Sequence, residues 1–600
     1  MFKSLILFLC LFLINFSVAQ EFAALNEELK NTIADENLTG AVWSTISDDI
    51  VTTGAIGIKN SDTKEILDDN DRVLIGSITK TLIATGVLHL SSQGKLDVNS
   101  PVYKILPKIT FDNPWKETNP VTIRDLLNHT SGIEDSRFWQ VFSTKPTSTT
   151  PLEYIFSKNT SVLKVRTIPG TRFSYSNMGY SLLGLIIEKV TQESYENYLD
   201  KNLLIPLGMN NSTFSFVTQS QENTGKTLAM GHFDNGTTQE NIPMFLRPAG
   251  QFTTTAKDMA LLAKFLMSDG TIDGESFIDK KLLNQMGNPR SIESYKNGLK
   301  SGYQFGLSYR DRYGVLGKYH RGNTIGYRAT FYLFPEQKKG FFISFNTDSE
   351  TANYGRFNTI FINHLGINKP EKLSVKEKIP SNVEVFEGYY KMNPVRFKMF
   401  AYLDLLFNSI KVKKENNKLI IKSIQKETYS LLPVGNNLFR KKDRVKPSHV
   451  LYKNGSVPII SDGLATYEKV NTTYLVLMWL SLILGLTGII FILFRGFYLL
   501  FQKKLFKNNQ IITFPFLSVL GLLIPIPFLL NQSFLNLGDL TIANILLAIV
   551  TGVLPLAMIF GSLKTWKNKT FSIDSIGILF ILQWTLILVY WSVLPFRLWS

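Results

Sequence analysis

The rhythm of apolar and polar positions divides the chain into four stretches. In residues 1–19, MFKSLILFLCLFLINFSVA, Lys3 precedes an apolar run from Leu5 to Phe16, and the small residues Ser17 and Ala19 follow at cleavage spacing. This pattern predicts a signal peptide, absent from the mature chain. The second stretch, 20–370, mixes both periods. A short polar helix is expected near 21–34, then two strands, GAVWSTIS (40–47) and IVTTGAIGIKN (50–60), separated by the turn residues Asp48 and Asp49. A helix follows from Ser77 to Gln93, with Ile83, Val87 and Leu90 on one face and Gly94 as its stop. A strongly apolar helix starts near Gly179, and two strand-like runs, 327–334 and 340–346, flank PEQKKG.

The third stretch, 371–470, opens with the charged, proline-ended EKLSVKEKIP (371–380), which reads as a linker. Short β-like runs come next at 385–392, 418–424, 428–434, 437–442 and 465–470. The fourth stretch, 471–600, holds four apolar segments near 473–494, 511–530, 541–563 and 573–594. Each is long enough to cross about 30 Å of hydrocarbon, so four transmembrane helices are expected.

Charge orients those segments. Arg495, Lys503, Lys504 and Lys507 lie between the first and second, and Lys564, Lys567 and Lys569 between the third and fourth, whereas the loop NQSFLNLGD (531–539) has no Lys or Arg. Basic loops stay cytoplasmic, which places 20–470 on the outer side of a multi-pass membrane protein, as the signal peptide independently requires. The formal net charge of +16 is scattered among acidic residues on an exported region, so nucleic acid is not expected as a partner; the lipid bilayer is. The basic runs KVKKENNK (411–418) and RKKDRVK (440–446) read as solvated faces, with proximity to anionic lipid as the other reading. Cys10, the only cysteine, lies inside the signal peptide, which excludes disulfides and thiol catalysis from the mature chain. The six histidines are dispersed, with no pair at helical ligand spacing, so no metal site is expected.

Candidate chemistry begins with IGSITKTL (75–82). Ser77 at a helix entry is ordinarily a cap, but Lys80 lies three residues on and shares its surface. An amine can take the proton of a serine hydroxyl only when its pKa falls well below ~10.4. Tyr175-x-Asn177 sits in a polar loop before the second helix, and His320-x-Gly322 precedes the last two strands. Gly322 suits an edge strand that another backbone or a ligand approaches closely. A phenol and an amine in one cleft titrate as a pair, and the sequence leaves open which holds the proton.

Taken in order, Ser77-x-x-Lys80, Tyr175-x-Asn177 and His320-x-Gly322 resemble the serine β-lactamase and penicillin-binding-protein superfamily, in its class C-like branch of hydrolases, esterases and D-amino-acid peptidases. TIRDLLNHTSGI (122–133), PGTRFSYSNMGYSLLGLIIE (169–188), RPAGQFTTTAKDMALLAKFL (247–266) and the 319–348 strands are similar to that branch in order and spacing, over nearly all of 25–365. The resemblance implies an α/β (α+β) fold: an antiparallel sheet flanked by helices with an all-helical insert region. FEGYY (386–390) resembles the opening of the small β-barrels that follow this domain in several relatives, so a β-rich domain over 371–470 is expected, docked on the active-site edge or serving as a spacer.

The resemblance further implies Ser77 as nucleophile, Lys80 as its proton partner and Tyr175 as general base or acid. Asn177 would orient the substrate amide and bond Lys80, while His320 donates to Tyr175 or to substrate. The backbone N–H groups of Ser77 and Asn323, beside Gly322, would hold the oxyanion. No cofactor is implied. One departure bears on specificity: relatives carry Lys-Thr-Gly where this chain has His-Arg-Gly, and a histidine is mostly neutral at pH 7. Arg321 or Arg328 would have to supply the missing cation. The expected activity is therefore an esterase or peptidase rather than an antibiotic hydrolase, acting on a small-molecule, peptide or cell-envelope substrate. A penicillin-recognising sensor that signals through the membrane helices is the rival reading, and the oligomeric state is not legible.

Overall fold

A computed structural model describes residues 20–157, 160–220, 228–376, 378–507, 510–569 and 571–600. The expected signal peptide, with Cys10, lies outside the described residues. The first domain is built on an antiparallel sheet of eight strands: β1 (Gly40–Ser47), β2 (Ile50–Asn60), β3 (Glu65–Ile66), β4 (Gly302–Gln304), β5 (Leu307–Arg312), β6 (Val315–Thr324), β7 (Tyr327–Phe334) and β8 (Lys339–Phe345), ordered β4-β5-β6-β7-β8-β1-β2-β3. Buried on both faces, β1 shows no alternation of burial, Ser44 and Thr45 being covered along with Val42, Trp43 and Ile46. On one face Trp43 and Phe341 meet helix α1 (residues 20–35) and the helix Gly355–His364 through Leu25, Leu29, Phe357 and Phe361. On the other, Val42 and Ile46 face the main core: the helix Ala256–Leu266 packs on β1, and the core continues into helices α2 (Thr79–Ser92) and α3 (Asn177–Thr191).

Strand β6 is not the edge strand expected. Its first half pairs with β5 as far as Tyr319, and only 320–324 run past β5, bonded to β7 alone. That half carries His320, Arg321, Gly322 and Asn323.

Eight further antiparallel strands, from Gly388–Met392 to Thr466–Val470, close into a barrel around Tyr390, Val412, Leu419, Phe439 and Ile460. Three of them, Ile410–Glu415, His449–Asn454 and Val457–Ser461, correspond to no run expected from the sequence. In the first, buried Ile410 and Val412 alternate with exposed Lys411 and Lys413, so the basic run is the outer row of a strand that ends in the turn at Asn416 and Asn417. The 371–380 segment is no free linker either. Its residues 371–376 lie on the barrel, with Leu373 N–H donating to the Val445 carbonyl (2.9 Å) and Lys376 N–H to that of Pro433 (2.9 Å).

Between the first two barrel strands, residues 393–409 leave the barrel. Their helix, Ala401–Phe407, packs on the C-terminal helices, where Trp584 Nε1 donates to the Tyr402 hydroxyl (3.2 Å) and Phe407 meets Trp479. Four segments there are long and apolar enough to cross a membrane. The second is not the single helix expected over 511–530: it breaks into Thr513–Gly521 and Ile526–Asn531 around a turn at 522–525. Pro525 and Pro527 explain the break, because neither has an N–H to offer the preceding turn.

The loop between the second and third segments docks on the first domain. Asp539, 7% exposed, accepts from the Ser143 hydroxyl (2.6 Å) and Thr144 N–H (3.2 Å), and Gly538 N–H donates to the Phe142 carbonyl (2.7 Å). A Cβ on Gly538 would lie 2.3 Å from Trp139 Cα, so a side chain there would force the two backbones apart. Asp539→Ala strands two donors in this interface and should cost about 1–3 kcal/mol. A lowered melting temperature of the detergent-solubilised protein checks this; an unchanged one would mean that the dock contributes nothing to stability.

Candidate active site

Ser77 occupies a short 3-10 turn, Gly76–Ile78, that feeds α2, and it makes no capping bond. The cap reading and the continuous α-helix from Ser77 both give way to a tight turn held by its surroundings. Gly322 faces it: a Cβ there would lie 1.8 Å from the Ile75 carbonyl oxygen. Gly76, at φ +50°, has the Asn323 backbone within 2.7–2.8 Å of its own Cβ position. The half of β6 that runs past β5 is therefore pressed against the turn, and the Asn323 backbone lies beside Gly76.

Lys80 Nζ is 3.0 Å from Ser77 Oγ and donates to the Ala249 carbonyl (2.6 Å). The Tyr175 hydroxyl donates to Ser77 Oγ from 2.9 Å. Lys80 and a tyrosine 98 positions beyond Ser77 thus meet on one oxygen. Tyr175 arrives on the segment leading into α3, whose N-cap Ser176 accepts from Gly179 N–H (3.1 Å) while its own N–H donates to His129 Nδ1 (3.1 Å).

Burial decides the protonation states. It holds the fully buried Lys80 amine well below the usual lysine range, against the attraction of Asp135, with Arg396 adding a smaller push downward. It pushes the Tyr175 phenol up to about 12, against the Ser77 hydrogen bond. Burial thus favours the neutral amine and the neutral phenol over their charged forms.

Because the folded pKa of Lys80 is depressed, the unfolded chain binds a proton that the folded one lacks between that depressed value and ~10.4, and stability rises with pH across that window. Lys80→Met should therefore stabilise the fold by about 1–3 kcal/mol near neutral pH, a gain that shrinks as pH approaches ~10.4, while turnover is lost. Thermal melts at several pH values check it, and a destabilised variant at pH 7 would refute it.

Other expected contacts are replaced. Asn177 does not bond Lys80: its backbone N–H (2.7 Å) and side-chain amide (3.4 Å) both turn to the buried carboxylate of Asp135. His320 does not reach Tyr175. Its Nδ1 donates to the Arg321 carbonyl (2.7 Å), which leaves Nε2 to accept from the Tyr303 hydroxyl (3.2 Å). Burial first and Lys80 second push this imidazole down to about 3, so it is neutral. Arg328 is consumed by Asp348 and Glu350 (2.5 Å each), and Arg321 is exposed, on the strand face opposite Gly322. Arg328 therefore does not stand in for the missing lysine, and Arg321 acts on Tyr175 and His320 only through its charge.

Three neighbours of the site were not singled out from the sequence. His129 packs against Tyr175 with tilted rings, their centroids 4.2 Å apart, and burial, followed by Lys80, holds it well below the usual histidine range. Asp135 anchors the start of α3. Arg396 comes from the barrel, its guanidinium 4.7 Å from the Tyr175 ring and 2.6 Å from Asp135. His129 lies within TIRDLLNHTSGI and Asp135 just after it, so that motif offered a signal; Arg396, from another domain, had none.

A family model described as "Beta-lactamase" matches residues 25–360, more than half of the chain and all of this site except Arg396. The chain belongs to the beta-lactamase family. Among curated proteins it is similar to Protein flp of Staphylococcus aureus (strain MRSA252), 28% identical over 327 residues, 51% of this chain and 60% of that protein. The chain thus spans less than two thirds of that relative. Among solved structures it is similar in fold to SurE, with a TM-score of 0.52 and 19% identity, over 75% of this chain and 99% of the other. That share exceeds the family region, so the likeness in fold continues past residue 360. Family membership makes the first domain a serine-hydrolase-type domain of the beta-lactamase and penicillin-binding kind.

Proposed function

We propose that the protein is a membrane-anchored serine hydrolase that cleaves an ester or amide through an acyl-enzyme on Ser77. The convergence of Lys80 Nζ and the Tyr175 hydroxyl on Ser77 Oγ, at 3.0 and 2.9 Å, carries this reading. Ser77 Oγ attacks the carbonyl carbon as its proton passes to neutral Lys80. Tyr175 gives its proton to the departing oxygen or nitrogen, and the phenolate is stabilised by the ammonium formed beside it. In deacylation, water attacks the acyl carbon and yields its proton to the phenolate, while Ser77 Oγ leaves with the proton held on Lys80. The backbone N–H groups of Ser77 and Asn323 are assigned to the carbonyl oxygen, and the approach of the Asn323 backbone to Gly76, next to Ser77, supports that assignment.

Esterase or peptidase chemistry is favoured over antibiotic hydrolysis because the third motif carries His320, held neutral by burial, where those hydrolases have a lysine. The membrane reading rests on the four apolar segments. Its orientation is supported by the docked loop 531–539, which bears no Lys or Arg. The basic end is remote from that loop along the helices; there Arg495 pairs with Asp574 (2.8 Å) and Lys564 Nζ donates to the Gln510 carbonyl (3.0 Å). The outer side then carries the hydrolase.

The test is to incubate the solubilised protein with a fluorophosphonate and with an activated ester, wild type against Ser77→Ala. A phosphonyl adduct on the Ser77 peptide together with ester turnover supports the proposal. A stable adduct without turnover of any ester or amide overturns it in favour of a sensor.

A further inference from the structure

The barrel's excursion does more than reach the first domain. Residues 393–400 are fixed to it on both sides of Arg396: Arg166 Nη1 donates to the Val395 carbonyl (2.7 Å), Lys398 N–H donates to Glu134 (2.7 Å), and Asp135 N–H reaches the Arg396 carbonyl (3.4 Å). Below them, Arg172 of the first domain pairs with Glu468 of the last barrel strand (2.6 Å). The loop is clamped rather than hung, so the position of its side chain is defined.

Arg396 presents a half-occupied guanidinium. Its Nε donates to Asp135 Oδ2 (2.6 Å), whose side chain is fully buried and also holds the start of α3. Its Cζ lies 4.7 Å from the centroids of both the Tyr175 and the Phe397 rings. The two terminal nitrogens, Nη1 and Nη2, have no protein partner among the described residues, and the side chain is 46% exposed. A guanidinium anchored through Nε and open at both terminal nitrogens is preset for two parallel hydrogen bonds to one carboxylate. With Arg328 consumed by Asp348 and Glu350, Arg396 is an open guanidinium resting against the ring of the reacting phenol.

We infer that Arg396, supplied by the barrel domain, is the specificity-determining residue that binds a free carboxylate on the departing half of the substrate. The side of the scissile bond follows from Tyr175, over which Arg396 lies and which protonates the leaving group; in that respect the inference rests on the proposed hydrolase mechanism. The substrate class is an ester or amide whose released portion ends in a carboxylate. A recognition task that relatives assign to a third-motif lysine within the hydrolase domain is transferred here to a second domain.

The test uses the full-length protein in detergent and two thioesters of one N-acylated amino acid, with mercaptoacetate and with mercaptoacetamide, which differ in the charge of the departing thiol. Wild type should prefer the carboxylate by about tenfold or more in kcat/KM. Arg396→Gln should bring the two substrates within about threefold of each other, chiefly through KM. Arg396→Lys should retain part of the preference, because an ammonium supplies charge without the fork. An unchanged preference in Arg396→Gln overturns the inference and leaves Arg396 as the counter-ion of Asp135; so does equal use of both substrates by wild type. Should Arg396→Gln fail to fold, wild type still decides: N-acetylglycine should inhibit more strongly than N-acetylglycinamide, and equal inhibition refutes carboxylate binding. Thioester turnover that survives in Ser77→Ala would instead defeat the serine mechanism itself, so the two failures are distinguishable.

Discussion

Replacing Ser77 by alanine is expected to lower kcat/KM for any accepted ester by about 10⁴-fold or more, with the melting temperature nearly unchanged. The size follows from what is removed. Both proton partners act through Ser77 Oγ, at 3.0 and 2.9 Å, so its loss disables them together rather than one at a time. The stability expectation follows from the small volume lost in a half-buried turn whose packing rests on Gly76 and Gly322. Steady-state kinetics and a melt on the same preparation check both halves. Residual activity within tenfold of wild type would remove Ser77 from the chemistry.

Gly322→Ala should be nearly as damaging, for a mechanical reason. The added Cβ would sit 1.8 Å from the Ile75 carbonyl oxygen, and the obstacle is backbone, not a side chain that can swing away. Separation to van der Waals contact displaces either β6 or the turn bearing Ser77 by more than an ångström. Misplacement on that scale costs about 10²-fold in rate, and the strain costs about 1–3 kcal/mol or more. A variant that folds with a lowered melting temperature and has lost about 10²-fold in kcat/KM meets the expectation. Unaltered kinetics would show that β6 and the turn do not set the geometry of the cleft.

The elements of the first domain were legible wherever apolar periodicity was strong: β1 and β2 run over the expected 40–47 and 50–60, and β7 over 327–334. The barrel was harder to read, because lysines on the outer row of Ile410–Glu415 disguised an alternation that only Ile410 and Val412 carry. The second apolar segment was read as one helix from its composition, although Pro525 and Pro527 were in plain view. At the site, spacing alone suggested that Ser77 and Lys80 share a surface, and the structure puts Tyr175 with them. It did not disclose what Asn177 and His320 bond, since Asp135 and Tyr303 come from other elements and local spacing says nothing of them. Arg396 was illegible for the same reason on a larger scale: its partner Asp135 lies 261 positions earlier.

The first domain is joined to the helical bundle at separate points, through the loop that ends at Asp539 and through the barrel helix Ala401–Phe407 beneath Arg396. A head on a flexible stalk sweeps a hemisphere of targets; one bolted at two places keeps a set elevation and tilt. On the proposed membrane reading, the enzyme would then select by altitude as well as by chemistry, reaching bonds presented within a narrow band above the lipid headgroups and passing over identical bonds farther out.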